Sequence, residues 1–222
     1  MPEIIIHEVG PRDGLQAEKQ TVPTEKKLQW IRSLADTGID IIQAGSFVHR
    51  EKLPQMADTD ELFRALRDEK HGAIFSGLVL NEKGLERGLA CGVQMFCLGV
   101  SASETHSRKN TGMGTDEALG RIVATAKEAV TAGAIVQVSV QSAFGCGFEG
   151  PIPHERVLTM VRTYLEAGLT NISLADTAGH AHPDQVRKLF GDIRRLAPDI
   201  CCTCHFHDTY GQIGRASCRE RV

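Results

Sequence analysis

The chain is 222 residues long, 41% hydrophobic and 24% charged, with a formal net charge of −3, which suits one domain with a sizeable core. Twenty-five basic residues against 28 acidic ones exclude an electrostatic case for binding nucleic acid or an anionic membrane surface. No apolar stretch approaches the roughly 20 residues of a membrane helix, and Met1-Pro2-Glu3 begins neither the basic nor the apolar region of a signal peptide. Seven unevenly spaced cysteines read as thiols of a reducing compartment, so the cytoplasm is the expected location, with organellar import left open.

In chain order, short β-rich runs fall at residues 4–9, 39–44, 74–80, 93–100, 135–140, 171–175 and 201–207. They show little period-2 alternation, as expected of parallel strands covered on both faces. Between them lie segments with apolar residues at helical spacing, such as Leu28, Ile31 and Leu34, then Leu119, Ile122, Val123 and Ala126. Helix starts are marked by Thr115 before Asp116-Glu117 and by Pro183 after His182. Four helices stop at a small residue followed by glycine and then at once by a strand: Thr37-Gly38, Cys91-Gly92, Ala132-Gly133 and Ala167-Gly168. About seven strands alternating with six helices predict an α/β fold, a TIM (β/α)8 barrel that is incomplete, since eight units need about 250 residues. A doubly wound open sheet is the alternative, but no G-x-G-x-x-G follows the first strand.

The last ten residues, 213–222, are basic, lack apolar periodicity, and read as the translation of a common short-read sequencing adapter. The expected organisation is therefore a partial barrel domain over 1–212 and a non-native tail over 213–222. Native sequence would stop near Gly211, and this truncated product would be inactive alone.

Barrel enzymes carry their sites at the C-terminal ends of strands. Those ends hold Arg12-Asp13-Gly14-Leu15-Gln16, Gln43-Ala44-Gly45-Ser46-Phe47, Ser173-Leu174-Ala175-Asp176-Thr177, and His205-Phe206-His207-Asp208-Thr209-Tyr210-Gly211. His205 and His207, two apart on a strand, point to one face and offer two imidazoles to one metal. Asp13 adds a carboxylate. Such a set suits Mg2+ or Mn2+ with an oxygen-rich substrate, and equally a 2-His-1-carboxylate Fe(II) oxygenase. Cys202 and Cys204 alternate onto the face opposite the histidines, and no second C-x-x-C pair exists. They are expected to be buried thiols rather than zinc ligands. The glycines of 111–114 and 144–150 read as loop punctuation or as a grip on a CoA phosphate. Arg12 beside Asp13 reads either as a surface ion pair or as a fixed cation for a developing enolate.

Taken together, Glu8-Val9-Gly10-Pro11-Arg12-Asp13-Gly14-Leu15-Gln16, Ser46-Phe47-Val48, Pro54-Gln55-Met56, the Ser173 to Thr177 motif and the His205 to Gly211 motif resemble the 3-hydroxy-3-methylglutaryl-CoA lyase family. The match spans nearly all of positions 3–212. Gly14-Leu15-Gln16 separates the chain from related isopropylmalate and homocitrate synthases, which typically carry R-D-G-E-Q. The resemblance implies a metal-dependent barrel lyase of leucine degradation and ketone body metabolism, a homodimer when full length, acting on an acyl-CoA. Asp13, His205 and His207 would bind Mg2+ or Mn2+. Arg12, Asp13 and His205 would be catalytic, with Arg12 steadying the thioester enolate. Gln16, Gln43, Ser46, Ser173 and Asp176 would line the substrate pocket. The reaction would be retro-Claisen cleavage of 3-hydroxy-3-methylglutaryl-CoA or a similar 3-hydroxyacyl-CoA to acetyl-CoA and acetoacetate.

The chain departs from the family in two places. Gln43 stands where the family has a glutamate, and a neutral amide can neither act as a base nor pair with Arg12 as a charge. The family's last strand, its cysteine loop and an asparagine metal ligand would lie beyond Gly211. Alternatives are a lyase or Claisen-type synthase for another hydroxyacyl-CoA, a non-catalytic paralogue that binds acyl-CoA or pairs with an active subunit, and an Fe(II) oxygenase.

Overall fold

A computed structural model describes residues 4–210; the expected tail over 213–222 lies outside the described residues. Seven parallel strands follow one another in chain order in one sheet: β1 (His7–Glu8), β2 (Ile41–Ser46), β3 (Ile74–Leu78), β4 (Met95–Ser101), β5 (Ile135–Gln141), β6 (Asn171–Asp176) and β7 (Cys201–Phe206). A doubly wound sheet reverses its order at a switch point. An unbroken sequential order, with a helix between each strand and the next, is that of a (β/α) barrel.

The chain divides into two compact units. In the first, residues up to 97 together with 128–135, β1 to β4 pair in parallel, with Glu8 opposite Ile42, Gln43 opposite Ser76, and Leu78 opposite Cys97. A register shift between Gln43 and Gly45 bends β2 where it approaches its functional end. Helices α1 (Thr24–Ala35), α2 (Thr59–Leu66) and α3 (Glu82–Ala90) cover this sheet with Leu28 and Ile31, Leu62, Phe63 and Leu66, and Leu85. In the second unit, residues 98–127 with those from 136 onward, β6 pairs with β5 and with β7, from Asn171 opposite Cys201 to Asp176 opposite Phe206. Here α6 (His154–Glu166) and α7 (Pro183–Leu196) bury Val157, Val161, Tyr164, Val186, Leu189 and Ile193. The Tyr164 hydroxyl, inside this core, donates to the Ser139 carbonyl at 3.1 Å.

The four glycine stops form as expected, with φ of 79° to 84° at Gly38, Gly92, Gly133 and Gly168. At three of them the residue after the glycine donates back into the helix: Val93 to Gly88, Ala134 to Ala129, and Leu169 to Tyr164, at 3.0 to 3.1 Å. That Schellman bond occupies the first residue past the stop. This is why β4 begins at Met95 and not at 93. β2 likewise begins two residues later than expected, at Ile41 and not at 39.

Three further expectations need correction. β1 is confined to two residues because its register partners begin only at Ile41, and Ile4, Ile5 and Ile6 are exposed. The described residues hold seven α-helices, not six. The unexpected one, α4 (Glu104–Thr111) ahead of α5 (Thr115–Thr131), buries only Ser107 and so has no apolar periodicity to read. Its signals were a Ser103 N-cap, which accepts from the His106 N–H at 3.1 Å, and a left-handed Gly112 at its end. Thr115 is the first residue of α5 rather than its cap; its N–H goes to Glu104 Oε2 at 2.8 Å. The His182 cap before Pro183 forms as read, with Nδ1 accepting from the Gln185 N–H.

Candidate active site

In the first unit the chain turns sharply after β1. Residues Gly10–Gly14 make one π-helical turn, a wide turn often found at functional sites, and it carries Arg12 and Asp13. The Arg12 Nη1–H donates to Asp13 Oδ1 at 2.5 Å, and its Nε–H donates to Gln43 Oε1 at 2.5 Å. Burial pushes the Arg12 guanidinium down from its usual range, while the Asp13 carboxylate pushes it back up. The exposed surface pair is therefore not what forms: the Arg12 side chain is 11% exposed.

Ser46 ends β2. Its N–H donates to Thr59 Oγ1 at 3.2 Å, and the Thr59 hydroxyl donates to the Met56 carbonyl at 2.8 Å. The Pro54-Gln55-Met56 segment thus supports Ser46 from behind. Its other brace is Lys27, 1% exposed, whose Nζ reaches the Gln55 carbonyl at 2.5 Å and Asp58 Oδ1 at 2.7 Å. Among the described residues of this unit, two buried polar atoms have no hydrogen-bond partner, Gln16 Oε1 and Ser46 Oγ. A buried acceptor or hydroxyl left unmade costs about 1–3 kcal/mol, and both belong to residues expected to touch substrate.

In the second unit the expected residues lie on and after β6 and β7. Ser173 is buried on β6, opposite Thr203 of β7 and Ser139 of β5. Asp176, fully buried, accepts from the His180 N–H at 2.7 Å and the Ala181 N–H at 3.1 Å, which closes the loop after β6. His207 Nδ1 lies 3.0 Å from the Asp176 carbonyl. A carbonyl only accepts, so Nδ1 carries the proton and Nε2 keeps its lone pair. Nε2 of His205 is 3.4 Å from Nε2 of His207. Two nitrogens about 2.1 Å from one ion at a tetrahedral angle are separated by about that distance.

The thiols of β7 depart from expectation. Cys204 and Cys201 are exposed and Cys202 is half-buried. The Cys202 thiol is still pushed up to about 11 by burial. The glycine-rich segment 144–150 is a turn closed by Cys146 and Gly150, which exchange backbone hydrogen bonds at 2.8 Å.

Sequence reasoning missed the polar residues beneath Arg12. His7 Nε2 lies 2.8 Å from Ser76 Oγ, and burial pushes the Cys97 thiol up to about 11 while the Gln43 and Ser76 side chains pull it down. The available signal was a histidine, a serine and a cysteine inside otherwise apolar β-rich runs.

The HMGL-like family model matches residues 3–216. The hydroxymethylglutaryl-CoA lyase YngG of Bacillus subtilis is 37% identical over 209 residues, which are 94% of this chain and 70% of that protein. The crystal structure of the Bacillus subtilis HMG-CoA lyase superposes with a TM-score of 0.90 at 36% identity, over 94% of this chain and 70% of that one. An HMG-CoA lyase from Acinetobacter baumannii, solved in complex with coenzyme A and 3-methylmalate, gives 0.87 at 36% identity over 93% and 67%. These matches cover nearly the whole chain, so this chain, a lyase-like enzyme on a (β/α)-barrel frame, belongs to the HMGL-like family.

Proposed function

We propose that this enzyme is a divalent-cation-dependent carbon–carbon lyase that cleaves a 3-hydroxyacyl-CoA, such as 3-hydroxy-3-methylglutaryl-CoA, to acetyl-CoA and acetoacetate. The observation that carries the reading is the His205 and His207 pair, its Nε2 atoms 3.4 Å apart and His207 fixed by the Asp176 carbonyl. With Asp13, which we assign to the same cation, the pair would offer one carboxylate and two imidazoles, which suits Mg2+ or Mn2+ and leaves room for substrate oxygens. Bound there, the cation supplies Lewis acidity that makes the substrate's tertiary hydroxyl more acidic.

Asp13 and His205 stand at that hydroxyl as well as holding the cation. The hydroxyl proton passes to His205 and C3 becomes a ketone as the C2–C3 bond breaks. The bonding electrons move onto the thioester as an enolate, and the same proton, returned to C2, completes acetyl-CoA. Arg12 donates to the enolate oxygen as charge develops there; a buried guanidinium needs no reorganisation to do so. Gln16 and Ser46, whose buried polar atoms await a partner, bind the substrate's oxygens along with Ser173, Gln43 and Asp176.

One observation favours a second reading. Gln43, at the contact with Arg12, is neutral, which fits a sibling lyase or a Claisen-type synthase acting on a different hydroxyacyl-CoA.

The test is direct. The enzyme is incubated with Mn2+ and a panel of hydroxyacyl-CoAs, and acetyl-CoA is measured before and after chelation. Chelator-sensitive release from hydroxymethylglutaryl-CoA is expected. Release from another hydroxyacyl-CoA alone would support the second reading, and none from any would overturn both.

A further inference from the structure

Two neighbouring residues of α2, Thr59 and Asp60, hold the backbone on either side of Phe47. Thr59 Oγ1 takes the Ser46 N–H at 3.2 Å. Asp60 acts through Arg87 of α3. Arg87 Nε donates to Asp60 Oδ1 at 3.2 Å, Nη2 donates to Asp60 Oδ2, and Nη1 donates to the Val48 carbonyl at 3.0 Å. A guanidinium is planar, so a fork closed on one carboxylate fixes the direction of its third nitrogen. The guanidinium carbon also lies 5.6 Å from the centre of the Phe47 ring.

Phe47 has little room to shift. It is buried, its N–H donates to the Leu78 carbonyl at 2.8 Å, and its ring packs on Phe63 with centroids 5.3 Å apart. A methyl group at Gly77 would come within 2.9 Å of the ring, and one at Gly84 within 2.9 Å of the Phe47 carbonyl. β3 and α3 therefore close on this residue directly.

Stability alone does not account for the ion pair. Asp60 is 5% exposed, and the attraction within a buried pair often does no more than offset the lost hydration. What the pair adds is a fixed place for residues 46–48. Ser46 is the last residue of β2, and its buried hydroxyl has no hydrogen-bond partner among the described residues. Such a hydroxyl serves a ligand only where its backbone is held still.

We propose that Arg87 is a positioning residue: anchored on Asp60, it pins the Val48 carbonyl and the Phe47 ring, and so fixes the Ser46 hydroxyl where substrate meets it. This rests on the reading of Ser46 as a substrate contact.

The experiment is a double-mutant cycle of Arg87→Met and Ser46→Ala, read as kcat and KM for whichever hydroxyacyl-CoA the unaltered enzyme cleaves. Arg87→Met keeps a stem over Phe47 and loses the fork, while Asp60 keeps Arg50, whose Nη2 donates to it at 3.0 Å. KM should rise about fivefold with kcat within about twofold, as when binding common to the ground and transition states is lost. Once Ser46→Ala has removed the hydroxyl, adding Arg87→Met should raise KM by less than about twofold, because both changes act on one contact. An Arg87→Met effect on KM that persists in full beside Ser46→Ala, or a lower melting temperature with KM unchanged, would overturn the proposal. If Arg87→Met does not fold, Arg87→Lys keeps a charge beside Asp60 without the planar fork and is judged by the same cycle. Should the unaltered enzyme cleave no hydroxyacyl-CoA, the lyase reading fails by itself; should Ser46→Ala leave KM unchanged, the reading of Ser46 fails. In either case the Ser46 amide signal in 1H–15N spectra of the substrate-free protein decides. It should shift in Arg87→Met, and an unmoved signal would show that Arg87 does not position Ser46.

Discussion

His207 donates its Nδ1–H to the backbone carbonyl of Asp176 at 3.0 Å, and the Asp176 carboxylate is itself held by two backbone N–H groups of the following loop. The orientation of one imidazole is thus set by the fold of the β6 loop. Supporting contacts of this kind are worth about 10–100-fold in metal affinity. Replacing His207 by alanine removes the nitrogen donor altogether and should abolish Mn2+ binding in a calorimetric titration. Replacing Cys204, exposed on the other face of β7, should leave the titration nearly unchanged. Equal losses from both would point to a thiol site instead.

Gln43 tests the reaction. Gln43→Glu places a carboxylate against the Arg12 Nε–H and restores the charge that the family carries there. Cleavage of hydroxymethylglutaryl-CoA should rise by about a hundredfold, the lower end for a restored acid–base group. No gain, together with turnover of another hydroxyacyl-CoA, would mark Gln43 as a specificity residue.

Glu69 predicts a pH dependence of stability. It accepts from Arg32 Nε and Nη2 at 3.1 and 2.6 Å and lies 2.8 Å from His71 Nε2. The Arg32 hydrogen bonds are the main cause that lowers its pKa from 4.5 to about 2. A carboxylate depressed in the folded state stabilises above its unfolded pKa and loses that contribution as pH falls through the folded value. The melting temperature of Glu69→Gln should therefore fall less steeply than that of the unaltered protein between about pH 5 and pH 2. Parallel curves would show that the pair contributes nothing, as many partly exposed pairs do.

Lys27 should be costly to remove. Its ammonium is 1% exposed and bridges Asp58 and the Gln55 carbonyl. Lys27→Ala leaves Asp58, 16% exposed, without its ion-pair partner and opens a cavity beneath the segment that supports Ser46. Loss of one partner of a buried pair costs about 3–5 kcal/mol. Urea unfolding should show a loss of about 3 kcal/mol, and a change under about 1 kcal/mol would show that water already reaches the ammonium.

The alternation of β-rich runs with helical spacing, the four glycine stops and the strand-end motifs were legible in the sequence because each is a local property. A left-handed turn needs glycine wherever it occurs, and two histidines two apart on a strand share a face whatever lies opposite. The parallel seven-strand order and the positions of Arg12, Asp13, His205 and His207 at strand ends followed from these. Other features depend on partners distant in the chain. The start of β1 is set by where β2 begins to pair with it. The exposure of Cys204 depends on what covers β7, and nothing in Cys201-Cys202-Thr203-Cys204 encodes that. Most of all, the hydrogen bonds joining Arg12 to Gln43 and His7 to Ser76 link residues that are dozens of positions apart in the chain. The register of β1, β2 and β3 brings these residues together, and only the paired sheet fixes that register.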